Sequence, residues 1–355
     1  MKLIPNSASL DSVSRSSVLT ASACFAICLS ATAVFAETWT MPTPYSDTNF
    51  HTENIRAFAA EVERLTDGEL VIEVHPGGTL VAHAEIADAV QNGDVQIGEV
   101  FQSTLSSRSP LFGADGLPFL ATSYADAQRL SDAEFDILTR ILAEDGLTPL
   151  YSVPWPPQGL YSKQEIIDPI DLNGAAFRVN NDILNGFAAE LGASPTRLEV
   201  SEIPDAFRSG AIDAMMTSAT TGVSTQSWEY LDYYYDLQAW LPKNIVFVNS
   251  DALAALSEEN RQAVFTAAQN ASDNGWLLSQ INAVEAIKAL FDNGMTILTP
   301  GQDLADSGEG GAMRQVSPAL LTELERASQA IRESWLQTAG SDGQQLIEAF
   351  EEGQE

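Results

Sequence analysis

Arg178 is the residue whose type and setting most clearly predict chemistry in this sequence. It lies in Ala175–Asn180, a segment with the two-residue alternation of a short strand, directly after the turn-like Asp171–Gly174. A guanidinium within an apolar strand is costly unless a partner pairs with it. Its planar fork of donors suits a carboxylate, and the chain has only 17 Lys and Arg against 49 Asp and Glu. We interpret Arg178 as the anchor for a ligand carboxylate, with an internal salt bridge as the alternative.

Polar residues at the ends of neighbouring predicted strands extend this candidate site. Asn180 leads into a predicted helix, whose N-terminal amides can also receive an anion. Thr217 and Ser218 follow the predicted strand Ala211–Met216, and ligands collect beyond the carboxyl ends of strands in parallel α/β sheets. We predict that at least one of these two hydroxyls contacts the ligand; capping of the following segment is the alternative.

A proline-rich segment, Pro154–Gly159, is predicted to cross between two lobes, because proline fixes φ and removes backbone donors. Trp155, Gln158 and Tyr161 flank this crossing and are candidates for the wall of a cleft, where small-ligand pockets concentrate. Packing at a hinge is the alternative for all three. Trp240 belongs to an aromatic-rich stretch, which indicates either core packing or a wall for a bulky ligand.

The elements that must position these residues alternate between strands and helices. Glu37–Pro42 and Leu70–Val74 are predicted to be strands, and Thr52–Thr66 between them has the apolar spacing of an amphipathic helix. This alternation predicts an α/β fold with a mostly parallel sheet and helices on its faces. Tyr45 and Glu99 follow strands of this first lobe and are predicted to face the cleft.

The later part of the chain repeats the pattern and adds long helices. We predict two separate helices at Tyr124–Ser131 and Ala133–Asp145, and one helix over Ser257–Asn293 with a kink at Ser272–Gly275. A helix of that length would be roughly 50 Å long, enough to bridge two lobes. Ala305–Gly311 is predicted to be a loop. The predicted organisation is an export signal at 1–36, lobe I at 37–157 plus about 246–290, lobe II at 158–245 plus about 291–317, and C-terminal helices at 318–355 that pack on the lobes.

The first 36 residues have the features of an export signal. They begin with a positive charge, continue through the mostly apolar Val18–Val34, and end in small residues before Glu37. Both cysteines, Cys24 and Cys28, lie in this segment, so the mature chain is expected to have neither a disulfide nor a thiolate metal site. A periplasmic location is predicted, with a retained membrane anchor or a lipoprotein as the alternatives.

The net charge of −32 excludes several classes of partner. Such a surface repels nucleic acid and anionic headgroups, so we expect neither nucleic-acid binding nor stable membrane insertion. His51, His75 and His83 are not spaced as zinc ligands. The sequence also has no nucleophile-elbow pattern and no phosphate loop. No metal, no cofactor and no enzymatic activity are therefore predicted.

Several stretches together resemble the periplasmic solute-binding subunits of tripartite ATP-independent periplasmic (TRAP) transporters, the DctP-like family. The stretches are Phe58–Gly68, Val74–Leu80, Asp88–Gly93, Leu117–Leu120, Asp171–Val179, Glu190–Ala193 and Glu202–Ala214. Their order and spacing carry the resemblance, because no single stretch is specific. The resemblance implies a two-lobe periplasmic binding protein fold, with a lobe-bridging long helix and a cleft that closes on an organic acid.

The resemblance also implies roles for individual residues. Arg178 occupies the position of the family's carboxylate-binding arginine. Thr217 falls about where many members have an asparagine that contacts the ligand, and a one-residue slip would select Ser218. Tyr161 stands near the position of a second arginine in sialic-acid-binding and some dicarboxylate-binding members. Since this chain has tyrosine there, a monocarboxylate is the favoured ligand.

The function predicted on these grounds is that of an exported receptor, expected to be a monomer. It would bind a small organic acid and deliver it to TRAP membrane subunits, which the family couples to ion gradients. The alternatives are a periplasmic binding protein of the ABC type, a sensor-linked one, or an exported enzyme that acts on an organic acid.

Overall fold

The structure, a computed structural model, describes residues 36–301 and 311–353. The predicted export signal, apart from Ala36, lies outside the described residues, and so does the predicted loop at 305–311, apart from Gly311. No helix of the described part combines the length and the apolar composition that a membrane span requires.

Strands and helices alternate along most of the described chain. The strands are β1 (Glu37–Pro42), β2 (Leu70–His75), β3 (Ile97–Phe101), β4 (Leu147–Pro154), β5 (Gln158–Ser162), β6 (Ala176–Val179), β7 (Ser194–Arg197), β8 (Ala214–Ser218), β9 (Tyr233–Tyr235), β10 (Lys243–Asn249), β11 (Thr296–Thr299) and β12 (Met313–Gln315). The α-helices are α1 (Phe50–Leu65), α2 (Ile86–Gln91), α3 (Tyr124–Glu144), α4 (Asp182–Glu190), α5 (Ile203–Ser209), α6 (Ala219–Ser224), α7 (Ser250–Ala255), α8 (Glu258–Asp292) and α9 (Pro318–Glu352).

The described strands form three sheets, divided between two lobes. β1 and β2 pair in parallel, and β10 lies between β3 and β4 and runs antiparallel to both. These two small sheets belong to lobe I. The seven-stranded sheet of lobe II has the order β12-β11-β9-β5-β8-β6-β7. The chain thus passes from β4 in lobe I to β5 in lobe II through Pro156–Pro157, and β10 returns it to lobe I. The predicted two-lobe α/β fold is confirmed, while the residue limits of the lobes given above remain a proposal.

Burial on one face of the lobe II sheet fixes the direction of Arg178. Phe177 and Val179 of β6 are buried in a cluster that includes residues of α4 and α9. Because side chains alternate along a strand, Arg178 points to the opposite face. On that face Met215, its register partner on β8, packs in a second cluster with residues of α5 and α8.

Two long helical segments connect the lobes: α8 is a continuous helix of 35 residues, whereas α9 is broken at Gly340, whose φ of 63° and ψ of −144° are not helical. In α8, Val264 and Ala271 belong to a core cluster of lobe I, whereas Leu290 belongs to a cluster of lobe II. In α9, Leu324 packs in lobe II and Phe350 in lobe I. The predicted lobe-bridging helix is therefore present as α8.

Two predictions about helix breaks were wrong. α3 is one continuous helix, because Leu130, Glu134 and Leu138 form a buried stripe with a four-residue spacing through the predicted break. α8 also continues through its predicted kink. Its Gly275 has a packing role instead, since a Cβ there would lie 2.4 Å from a methyl group of Val153 on β4.

The strand that carries Thr217 and Ser218 begins later than predicted. Gly210 ends α5 in the left-handed conformation, with a φ of 74°. Residues 211–213 then form a connection, and β8 begins at Ala214. Thr217 and Ser218 are consequently the last two residues of the strand, rather than the first two beyond it.

The lobe II sheet is closely packed around Gly159 of β5, and this packing leads to a testable prediction. A Cβ at this position would lie 2.4 Å from the carbonyl oxygen of Tyr235 and 2.5 Å from the ring of Tyr234. Gly159→Ala should therefore lower the free energy of unfolding by about 1–3 kcal/mol through overpacking. Urea denaturation measures this change. The matched control is Gly116→Ala, whose nearest atom would be 3.9 Å away; equal stabilities of the two variants would contradict this packing.

Candidate functional site

Arg178 is a buried cation without a carboxylate partner. The side chain is 2% exposed, and its Nε donates a 3.0 Å hydrogen bond to the carbonyl of Leu198. Within the described ranges, neither terminal nitrogen of the guanidinium has a hydrogen bond, and no carboxylate lies within ion-pair distance. The two terminal nitrogens of the guanidinium are therefore available to donate hydrogen bonds to a ligand. The alternative of an internal salt bridge is not what the structure contains.

Burial without a carboxylate partner disfavours the charged form of Arg178. Burial lowers the pKa of Arg178 from its ordinary 12.5 to about 10, while the negative charges of Glu199 and Glu202 act in the opposite direction. Even at this pKa the guanidinium remains charged at neutral pH. A carboxylate brought to its terminal nitrogens would supply the pairing that the described part of the protein does not.

Thr217 shares the sheet face of Arg178 on the neighbouring strand. Arg178 pairs with Met215 in the parallel register of β6 and β8, and Thr217 lies two residues further along β8. Residues two apart on a strand point to the same face. The side chain of Thr217 is 6% exposed and has no hydrogen bond to the described residues. Asn180 follows β6 and is exposed, and its carbonyl accepts a hydrogen bond from Arg197.

Other predicted residues of lobe II have partners of their own. Ser218 caps α6 by accepting a hydrogen bond from the amide of Thr221, as the capping alternative predicted. Tyr161 is fully buried beside Tyr234, and its hydroxyl donates to the carbonyl of Ser218. Trp240 packs in the lobe II core. These placements correspond to the packing alternatives, and we leave Tyr161 and Trp240 out of the site proposed below.

The crossing segment contributes residues that face different surroundings. Gln158 is buried, and its side-chain amide donates to the carbonyl of Pro156. Its position opposite Ser218 in the β5–β8 register puts it on the sheet face away from Arg178. Trp155 instead packs in lobe I, with its ring 4.4 Å from that of His51 between centroids. We therefore keep Trp155, and not Gln158, as a candidate for the cleft wall.

In lobe I, Asn244 joins three of the predicted residues in one network. Its Oδ1 accepts hydrogen bonds from the hydroxyl of Tyr45 at 3.0 Å and from Nε1 of Trp155 at 2.9 Å. Its Nδ2 donates to Oε1 of Glu99 at 2.9 Å. Glu99 also accepts a 2.7 Å bond from the hydroxyl of Thr43. Glu99 is therefore a buried, internally held carboxylate, which positions Tyr45 and Trp155 through Asn244.

Two histidines lie beside this network. His51 is buried, with Nδ1 3.5 Å from Glu99 and no hydrogen bond at either ring nitrogen. Burial lowers its pKa, although Glu99 acts in the opposite direction. His83 accepts a hydrogen bond from the amide of Phe101, and its ring lies 6.2 Å from that of Tyr45 between centroids. The lobe I network is thus neutral apart from Glu99.

Glu199 connects the two halves of the candidate site electrostatically. It belongs to the segment after β7 in lobe II, and its charge raises the pKa of Arg178 against the effect of burial. It acts in the same direction on His83 of lobe I. The charge of Glu199 therefore influences both Arg178 and the lobe I histidine.

The structure adds two residues that the sequence did not reveal. Asn244 had a usable signal, because it is a polar residue near the start of β10 that directly precedes the apolar run Ile245–Val248. Glu199 had none, since it is one of 49 acidic residues in the chain. In the part of the chain described, no group of three or more His, Cys, Asp or Glu side chains is arranged to hold a metal ion.

The fold and the cleft define a class of protein, the two-lobe solute receptors. The sequence model of the family "Bacterial extracellular solute-binding protein, family 7" (DctP) matches residues 43–307. The chain belongs to this family. The predicted membership is thereby confirmed, and with it the assignment to the extracytoplasmic receptors of TRAP transporters rather than to ABC-type receptors. The family comprises receptors, not enzymes.

Three relatives illustrate the similarity. DctP7 of Bordetella pertussis, described as an extracytoplasmic solute receptor binding pyroglutamic acid, is 38% identical, with a TM-score of 0.81 over 89% of this chain and 100% of that one. A marine metagenome TRAP solute-binding protein specific for pyroglutamate is 36% identical, with a TM-score of 0.80 over 89% of this chain and 99% of that one. A solute-binding protein of Albidiferax ferrireducens is 29% identical over 178 residues, which are 50% of this chain and about half, 52%, of that protein.

The buried histidine of the lobe I network predicts a pH dependence of stability. Because burial lowers the pKa of His51, the folded state favours the neutral ring. The stabilisation is therefore present above the ordinary pKa of 6.5 and is lost as the pH falls below it. Between pH 7.5 and 5.5, His51→Gln should lose less unfolding free energy than the wild type, as measured by urea denaturation at both pH values. His75→Gln, which changes a histidine outside the network, is the control. An unchanged pH dependence in His51→Gln would show that His51 is not a buried neutral group.

Proposed function

We propose that this protein is a periplasmic receptor for a small cyclic monocarboxylate of the pyroglutamate type, which it delivers to TRAP membrane subunits. The observation that carries the proposal is the buried guanidinium of Arg178, whose terminal nitrogens have no partner among the described residues. In a strongly acidic chain, a cation kept in this state is suited to an acid group from outside. The receptor is proposed to bind its ligand without converting it and to act as a monomer.

The surfaces around Arg178 support a compact ligand with one carboxylate. On the lobe II side, the free hydroxyl of Thr217 offers one further polar contact on the same sheet face. On the lobe I side, the rings of Tyr45 and Trp155 lie 5.1 Å apart between centroids and offer an apolar wall. Tyr161, which stands near the position of a second arginine in dicarboxylate-binding members, is buried in the core. A second carboxylate would therefore find no cation at that position.

The comparison with the pyroglutamate-binding receptors supports the choice of ligand class. Pyroglutamate has one carboxylate on a small ring, together with one amide donor and one carbonyl acceptor. The carboxylate matches Arg178, the ring matches an aromatic wall, and the amide can form a hydrogen bond with the hydroxyl of Thr217. Glucuronate and orotate receptors are less than 25% identical to this chain and share the fold with it, so they give no guide to the ligand.

Binding is proposed to close the two lobes, which then present a joint surface to the membrane subunits. The ligand must favour the closed state by its contacts with both lobes; a shift from 1:99 to 99:1 requires about 5.5 kcal/mol. Lobe II offers contacts from Arg178 and Thr217, and lobe I offers contacts from Tyr45 and Trp155.

A calorimetric comparison of close analogues tests the proposed ligand class. We expect L-pyroglutamate to bind, while 2-pyrrolidinone, which lacks the carboxylate, does not. Glutamate, which is open-chained and carries a second carboxylate and an ammonium group, should bind at least about tenfold more weakly, because its extra charges would have to be buried unpaired. If another monocarboxylate binds and pyroglutamate does not, the proposed ligand is wrong while the proposed receptor function stands. Release of a chemically altered ligand would instead indicate an enzyme.

The role of Arg178 has its own test. Arg178→Ala should weaken binding of the ligand by at least about 2 kcal/mol, because it removes a charge-assisted, bidentate partner from a desolvated site. Arg178→Lys keeps the positive charge but loses the planar pair of donors, so its affinity for the ligand should lie between those of the wild type and Arg178→Ala. Titration calorimetry measures the affinities, and circular dichroism shows whether each variant is folded. An Arg178→Ala variant that is folded and binds as well as the wild type would exclude Arg178 from the site.

A further inference from the structure

A second group of buried charges lies in lobe I, away from Arg178 and independent of the proposed function. Lys243, at the start of β10, forms ion pairs with Glu134 of α3 at 2.9 Å and with Asp115 at 3.7 Å. All three side chains are at most 3% exposed. The amide of Gln102 donates to Oε1 of Glu134 at 3.1 Å, and the backbone amide of Lys243 donates to Oδ2 of Asp115 at 2.7 Å.

The charges of this group do not balance. Two carboxylates face a single ammonium group, which leaves one negative charge in excess when all three are ionised. Burial raises the pKa of Asp115 to about 7, while Lys243 acts in the opposite direction. Each carboxylate also has one buried oxygen without a hydrogen bond, Oδ1 of Asp115 and Oε2 of Glu134. Such an arrangement is unfavourable unless one more positive charge is supplied, either by a proton on Asp115, whose raised pKa favours the neutral acid, or by a cation.

A small cavity between α3 and β4 adjoins the unpaired side of Glu134. Its volume is about 20 Å³, and its lining includes Glu134, Thr139 and Tyr151. The hydroxyls of Thr139 and Tyr151 are both buried and both lack a hydrogen bond within the described chain. The three residues that carry these unsatisfied oxygens therefore line one cavity, whose size admits a single water-sized species.

We propose that this cavity binds one sodium ion, which stabilises lobe I. Carboxylate and hydroxyl oxygens are ligands that hard cations prefer. A single excess negative charge matches a monovalent cation better than a divalent one. A water molecule could complete hydrogen bonds to the three oxygens, but the excess charge would then have to be removed by protonation of Asp115, whereas a cation lets both carboxylates stay ionised. Sodium satisfies both requirements in the space available.

Melting temperatures in different chloride salts test this proposal without any organic acid. Wild-type protein should melt at least about 2 °C higher in NaCl than in choline chloride of equal ionic strength, once sodium exceeds its dissociation constant about tenfold. Equal ionic strength separates specific binding from the screening that any salt gives to so acidic a protein. KCl should give a smaller increase, because the cavity suits the smaller ion.

Variants that remove single oxygens locate the effect. Tyr151→Phe and Thr139→Val should each reduce the sodium-specific increase by half or more. Thr139→Val replaces a hydroxyl with a methyl group of similar size, and Tyr151→Phe removes a single oxygen atom. Tyr124→Phe is the matched control, because its hydroxyl is bonded to Ser279 at 2.9 Å and does not line this cavity; this variant should keep the whole increase. Glu134→Gln should abolish the increase where it folds.

Two results would overturn the proposal. Equal melting temperatures of the wild type in NaCl, KCl and choline chloride would mean that the cavity holds an ordered water only. A sodium-specific increase that survives unchanged in both hydroxyl variants would place the ion elsewhere. Neither result depends on ligand binding, so failure here leaves the receptor function untouched.

Discussion

The site depends on a guanidinium that the fold buries without pairing. β6 has Phe177 and Val179 in the core of lobe II, and this packing forces Arg178 to the other face of the sheet. There the side chain is held by one hydrogen bond to the carbonyl of Leu198, which orients it and leaves its charge uncompensated by a contacting carboxylate. The packing of β6 thus stabilises a buried cation without a carboxylate partner, and an anion that binds from outside can supply that partner.

The remainder of the protein makes this local attraction selective. The chain is strongly acidic, so it repels anions at long range and binds one only where donors are already arranged. Glu199 and Glu202 lie near enough to influence Arg178, yet neither forms an ion pair with it. In lobe I, Asn244 fixes Tyr45, Trp155 and Glu99 before any ligand arrives. In the proposed receptor, both lobes thus offer groups held in place by their own hydrogen bonds, and closure is proposed to occur by hinge motion.

The sequence predicted those features that rest on local patterns. The α/β class followed from the alternation of strands and helices, and the two-lobe form from the proline-rich crossing and the family resemblance. The long helix α8 was predicted as one helical stretch with an N-terminal cap at Ser257. Arg178 was predictable because a cation within an apolar strand is conspicuous. Ser218 and Trp240 were ambiguous, because a capping hydroxyl or a core tryptophan looks the same in sequence as one that contacts a ligand. In the structure Ser218 caps α6 through the nearby Thr221, whereas Trp240 packs in a core cluster built from distant parts of the chain.

Features that depend on distant contacts could not be predicted. The break assigned within α3 was wrong because the buried stripe that includes Leu130 and Glu134 continues through a polar pair of residues. The network around Asn244 joins positions as far apart as 45 and 244, and no local pattern reports such a contact. The same holds for the buried group of Lys243, Glu134 and Asp115, whose members come from three separate elements.

The most direct test of the central claim is a crystal structure of the receptor with its organic acid bound. The account predicts that both carboxylate oxygens lie about 2.7–2.9 Å from nitrogens of the Arg178 guanidinium, in the bidentate geometry of such pairs. It would be contradicted by a structure in which Arg178 is paired with Glu199 or Glu202 while the ligand carboxylate is held by other groups.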